Sequence, residues 1–153
     1  MEWDDLFSPK VVAAKTTALE MSFRAGFREP LLASRRHLAN AIDENFATAG
    51  HGTWAPLSPK TVLKKKKNKN KILIESGRLR RSAAALGRWH VDNNEAVFSN
   101  LPGSVEYGYL HITGTNKMPS RNWLDVDGDS LVDEIGIAVF GPWLATKLEK
   151  AGF

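Results

Sequence analysis

An α+β fold is expected from three observations on this 153-residue chain. Apolar residues recur at helical spacing over the first fifty positions, a hairpin pattern appears near residue 90, and the C-terminal segment returns to helical spacing. The expected architecture has N-terminal helices packed on a small antiparallel β-sheet or sandwich, a long basic loop and a C-terminal helical segment. One domain spans 1–153, divided into a helical N-terminal region (1–50), a basic loop (60–76), a sheet-rich region (77–126) and the C-terminal helical segment (127–153).

The elements follow in order. Ser8-Pro9 reads as a helix start, since Ser caps orphan N–H groups and Pro is tolerated at the first helical position. Val12, Leu19, Phe23 and Phe27 continue it until Gly26 and Pro30, with a break expected at Glu29 because a residue before proline avoids helical geometry. Leu31, Leu38, Ile42 and Phe46 form the clearest amphipathic helix, which Ala49-Gly50-His51-Gly52 stops. Ser58-Pro59 repeats the earlier start and opens a short helix to about Lys66. From Lys64 to Lys71 there is almost no apolar anchor, so fraying or disorder is expected.

Beyond the loop, Ile72-Leu73-Ile74 is a short β-prone run. Arg78 to Leu86 reads as a short helix or turn between Gly77 and Gly87. Trp89, Val91, Ala96 and Phe98 suggest a hairpin turning at Asp92-Asn93-Asn94. The aromatic spacing from Val105 to Ile112 fits helix and strand equally, and Gly114, Asn116 and Pro119 mark a loop. Leu131 to Leu148 is near-helical, interrupted by Gly141-Pro142.

Composition narrows the function classes. The acidic N-terminus and the lack of any long apolar run argue against a signal peptide and a membrane anchor. With no cysteine there is no disulfide scaffold, thiol nucleophile or thiolate metal site. The net charge of +4 conceals an asymmetry: residues 60–90 hold eleven Lys or Arg against Glu75 alone, while residues 91–153 hold nine acids against four bases. Such a block is either a solvated loop or a contact for a polyanion.

Catalytic signals are weak. Asp125, Asp127 and Asp129 alternate as at the start of a calcium loop, but Ser130 and Gly136 occupy the positions where such a loop needs its glycine and its bidentate Glu. Carboxylates there also suit the start of a helix. The four histidines lack zinc spacing, and Ser76-Gly77 and Gly114-Thr115 are too brief for a phosphate loop. No enzyme activity and no cofactor is expected. Lys64, Lys65, Lys66, Lys67, Lys69 and Lys71 are candidate DNA-facing residues, acting on phosphates without sequence preference because the run holds no aromatic platform. Trp54 and Trp123, in loops bounded by Pro56 and Pro119, suit either a core or a docking surface.

Two segments, taken in order, carry a family likeness. The first runs Trp54-Ala55-Pro56-Leu57-Ser58-Pro59-Lys60-Thr61 and, after the lysines, Ile72-Leu73-Ile74-Glu75-Ser76-Gly77-Arg78-Leu79-Arg80-Arg81-Ser82. The second runs Tyr107-Gly108-Tyr109-Leu110-His111-Ile112-Thr113-Gly114, then Met118-Pro119-Ser120-Arg121-Asn122-Trp123-Leu124. Over residues 31–126 the chain resembles the virion-morphogenesis (tail-completion) family of tailed bacteriophages. The resemblance implies an α+β subunit of the head–tail junction: a terminator ring, commonly six-fold, that caps the tail tube and lets it join the filled head. It implies partners in the tail-tube and neck connector proteins, no membrane, assembly in the host cytoplasm and a place in the virion tail or neck. Subunit or partner contacts are then expected from Trp54, Pro56, Leu57, Tyr107, His111, Pro119, Arg121 and Trp123. The reading from another class is a non-specific nucleic-acid-binding protein tethered by its lysines.

Overall fold

Helix α1 (Pro9–Arg24) places its proline in the first turn, where the absent N–H costs nothing. The computed structural model describes residues 8–85, 89–98 and 106–153. The break after α1 falls at residues 25–27, earlier than expected at Glu29, and Pro30 lies buried in the first turn of α2 (Arg28–Thr48). A proline there removes no intrahelical hydrogen bond, so it need not end the preceding helix. Phe27 N–H donates to the Asn93 carbonyl at 2.6 Å and ties this junction to the hairpin described below.

Helix α2 supplies the centre of the core with Ala39, Ile42 and Phe46, and closes in a left-handed turn at Ala49 and Gly50. A Cβ on Gly50 would lie 2.2 Å from Trp54 Nε1, so only glycine lets that ring tuck under the helix end. Ser58 Oγ accepts from Thr61 N–H at 3.2 Å and caps α3 (Pro59–Lys64), which stops short of Lys66. The β-prone run Ile72–Ile74 forms no strand; Leu73 has a φ of +55 and Ile74 is buried. Three residues without a partner strand gain no ladder hydrogen bonds, and burial of Ile74 decides their path.

Helix α4 (Arg78–Ala83) packs Leu79 and Ala83 on α2. Arg80 grips Asp43 of α2 as a two-pronged fork, Nε to Oδ1 at 2.5 Å and the second nitrogen to Oδ2 at 2.6 Å. Strands β1 (Trp89–Val91) and β2 (Ala96–Phe98) pair antiparallel in the register Trp89–Phe98, His90–Val97, Val91–Ala96. Asp92 Oδ1 holds the turn by accepting from the Asn94 and Glu95 N–H groups at 2.7 and 2.9 Å. Among the described residues this hairpin is the whole of the sheet, smaller than the sheet-rich region or sandwich expected for 77–126. Leu86, Gly87 and Val105, which the sequence reading used as boundaries, lie outside the described residues.

The ambiguous aromatic segment is a helix, α5 (Glu106–Thr113). Helix α6 (Gly128–Ile135), a π-helical turn (Gly136–Phe140) and α7 (Gly141–Ala151) run on without the expected interruption at Gly141-Pro142. In a regular helix the Pro142 ring would meet the Ala138 carbonyl; widening the preceding turn relieves that clash. Phe23 and Phe27 stack with Phe140 and Trp143, at centroid distances of 5.4 to 6.4 Å, and join α1 to this C-terminal rod. The result is mostly helical with one small antiparallel hairpin, an α+β arrangement. Its core gathers Ile42, Phe46, Trp54, Ile74, Leu79, Ala83 and Trp123. By contrast α1, the π turn and α7 bury no residue fully.

Candidate assembly interface

The segments on either side of the lysine block meet across one groove of about 690 Å³. Their meeting point is Arg121. It is 5% exposed, and its Nε donates to the Ala55 carbonyl at 3.0 Å while a second guanidinium nitrogen reaches the Pro56 carbonyl at 3.2 Å. Its backbone N–H donates to the His111 carbonyl at 2.6 Å. One arginine thus joins the loop after α2, the end of α5 and the Pro119 loop. Removing its head would leave two carbonyls of the 55–56 turn without their donor.

Beneath this clamp lies an aromatic stack. The Phe46 ring stands between Trp54, edge-on at 5.9 Å, and Trp123, tilted at 6.0 Å. Trp123 is 1% exposed and its indole N–H donates to the Gly108 carbonyl at 3.0 Å, so the ring buries its area with its polar atom satisfied. Trp54 and Trp123 are therefore core, and the contact role expected for them is corrected: their loops close inward because α2 offers Phe46. Asn45, wholly buried, donates to the Trp123 and Asp125 carbonyls at 3.3 and 2.7 Å and fixes the far end of the same loop.

The other six expected contact residues, Pro56, Leu57, Tyr107, His111, Pro119 and Arg121, all line the groove. His111 is half-buried with Tyr107 edge-on to its ring at 6.1 Å. Burial, and secondarily the Arg121 charge, push its pKa down from 6.5, so the ring is neutral at pH 7. Gly114 (φ +73) turns the chain from α5 into the Thr115–Met118 bridge, and a Cβ there would meet Ser120 N at 2.8 Å.

The lysine run does not fray. Lys65 is 8% exposed, and its Nζ donates to the carbonyls of Asn68, Lys71 and Ile74 at 2.9, 2.5 and 2.8 Å. Glu75, the lone acid of the block, accepts from Lys66 N–H at 3.2 Å, and Asn68 Nδ2 donates to the Glu75 carbonyl at 2.9 Å. The ammonium thus serves as the centre of the turn that a run of like charges was expected to leave unfolded. Lys65 is accordingly not one of the outward lysines. Lys64, Lys66, Lys67, Lys69 and Lys71 are exposed, and of these Lys66 and Lys67 stand on the groove.

Neither the centring role of Lys65 nor the carbonyl contacts of Asn45 was foreseen. Nothing in the sequence distinguishes Lys65 among the six lysines of the run. Asn45 did leave a trace: three residues after Ile42 it stands on the apolar face of α2, where a polar residue needs buried partners. Asp127 caps α6, accepting from Ser130 N–H at 3.3 Å and Ser130 Oγ–H at 2.7 Å. Among the described residues no three His, Asp or Glu side chains converge as a metal site, and no helix is long and apolar enough to cross a membrane. Comparison with known proteins returned no matching family model, curated protein or solved structure.

Proposed function

We propose that this chain is a structural subunit of the head–tail junction of a tailed phage, a tail-completion or terminator ring protein that caps the tail tube and lets it join the head. The observation that carries this reading is the Arg121 clamp. The two segments resembling that family, apart in sequence, fold onto one another as a single rim stiffened by Pro56 and Pro119. Pre-ordered loops of this kind lose little entropy on docking. Exposed apolar side chains elsewhere on the protein support the same reading. Residues such as Met21, Leu63, Val132, Ile137 and Phe153 are more than half exposed, an apolar surface suited to a subunit that finishes its burial in an assembly. The ring is a homo-oligomer, six-fold in this reading, assembled in the host cytoplasm and carried in the virion.

Light scattering on the purified chain, alone and with tail-tube protein at low and high salt, tests the proposal. A ring-sized species, alone or on tubes, is the expected result. A strict monomer that ignores tubes overturns it. The exposed lysines sustain a second reading, non-specific nucleic-acid binding, and a monomer that binds duplex DNA at low salt and releases it at high salt would favour that one.

A further inference from the structure

Helix α6 carries a face that the described residues leave exposed. Leu131 is buried on one side and Glu134 pairs with His37 at 2.6 Å, which together hold the helix to α2 of its own body. At 100° per residue the opposite side presents Asp129, Val132 and Asp133, and the π turn adds Ile137. All four are exposed, Val132 at 69% and Ile137 at 79%. An acidic pair flanking two bare aliphatic side chains is a poor solvent face and a good docking ridge.

The groove has the reciprocal character. Leu57 and Met118 supply apolar lining, while Lys66, Lys67, Arg78 and Lys117 stand around it. Its one carboxylate, Glu75, accepts from Lys66 N–H. Among the described residues no ion pair neutralises Lys66, Lys67, Arg78 or Lys117 of the groove, or Asp129 or Asp133 of the ridge.

We infer that the groove is filled by the α6 ridge of a second copy of this chain, with Val132 and Ile137 against its apolar lining and Asp129 and Asp133 among its four bases. The ridge is anchored to its own body, so the groove it enters belongs to a neighbour. Groove and ridge are different surfaces, which makes the contact head-to-tail, the kind that closes into a ring when repeated by rotation. The inference rests on the ring reading and specifies the interface within it.

Charge reversal tests it on the full chain with tail-tube protein. Lys66→Glu with Lys67→Glu sets two new carboxylates against the acidic ridge; Asp129→Lys with Asp133→Lys sets a basic ridge against the basic groove. Each pair alone is expected to weaken assembly on tubes by about tenfold or more. The two pairs combined in one chain, or the two double variants mixed, restore opposite charges and recover it. Because the native chain has no cysteine, Lys117→Cys and Val132→Cys chains provide a second readout: they cross-link when mixed, and neither cross-links alone. Reversals that leave assembly unchanged, or a fourfold variant that fails to recover while the mixed cysteine chains stay unlinked, overturn the inference. If those results come with native chains that still cap tubes, the ring reading survives. If the native chain caps no tubes, both fall. Loss of DNA retention by Lys66→Glu/Lys67→Glu with assembly intact would assign the groove to a polyanion instead.

Discussion

Lys65 shows how a single side chain departs from what its neighbours imply. Three carbonyls surround its Nζ, and an ammonium has a proton for each. Lys65→Met keeps much of the aliphatic stem but leaves the Lys71 and Ile74 carbonyls without that donor, while Asn68 keeps only the Lys71 N–H. A loss of about 2 kcal/mol in urea unfolding is expected, against almost none for Lys64→Met or Lys69→Met, which are exposed. His111 gives a prediction of a different kind. Its folded pKa lies below 6.5, so on acidification the unfolded chain takes up the proton first. Stability from this group is complete above 6.5 and is lost as pH falls towards the lowered folded value. Melting at about pH 7.5 and 5.5 reads it: His111→Gln narrows the gap between the two temperatures, and an unchanged gap would contradict the burial described here. The motif segments exposed His111 and Arg121 to inspection as residues of interest; the grip of Arg121 on the 55–56 turn depends on a fold that brings positions 55 and 121 together.

Elements were legible where one local rule governed them. Ser58-Pro59 announces α3, Asp92-Asn93-Asn94 announces the hairpin turn, and Ile42 and Phe46 mark the buried face of α2. Legibility ended where distant partners decided. Ile72–Ile74 has strand propensity yet wraps the Lys65 centre, and the aromatic run of α5 took helical form with the Gly108 carbonyl accepting from the Trp123 indole N–H. Pro142 looked like an interruption, but a widened turn absorbs it. The stack of Trp54, Phe46 and Trp123 is the joint between α2 and both motif loops. Trp123→Ala is expected to cost about 4 kcal/mol in chemical denaturation, since it empties a core site and removes the indole hydrogen bond to the Gly108 carbonyl. Trp143→Phe, in the half-exposed cluster joining α1 to α7, should cost about 1 kcal/mol, because that cluster buries none of its members fully.

For the molecule as a whole, the division of charge was visible in sequence, whereas which bases gather around one groove was not. Basic residues 66, 67, 78 and 117 come from separated stretches and converge only because Arg121 draws the 117–121 loop onto the 55–58 turn. The helices flanking that core bury little of themselves, so their final packing belongs to an assembly in the proposed reading. The centre at Lys65 has one more consequence, in chemical reactivity. An acylating reagent at limiting dose should mark Lys64, Lys66, Lys67, Lys69 and Lys71 in the native chain and pass over Lys65, whose amine is enclosed and held by three carbonyls. Mass spectrometry of the peptides would show label at Lys65 rising only with denaturant. The most lysine-dense stretch of the protein thereby contains its own indicator of whether the loop is folded.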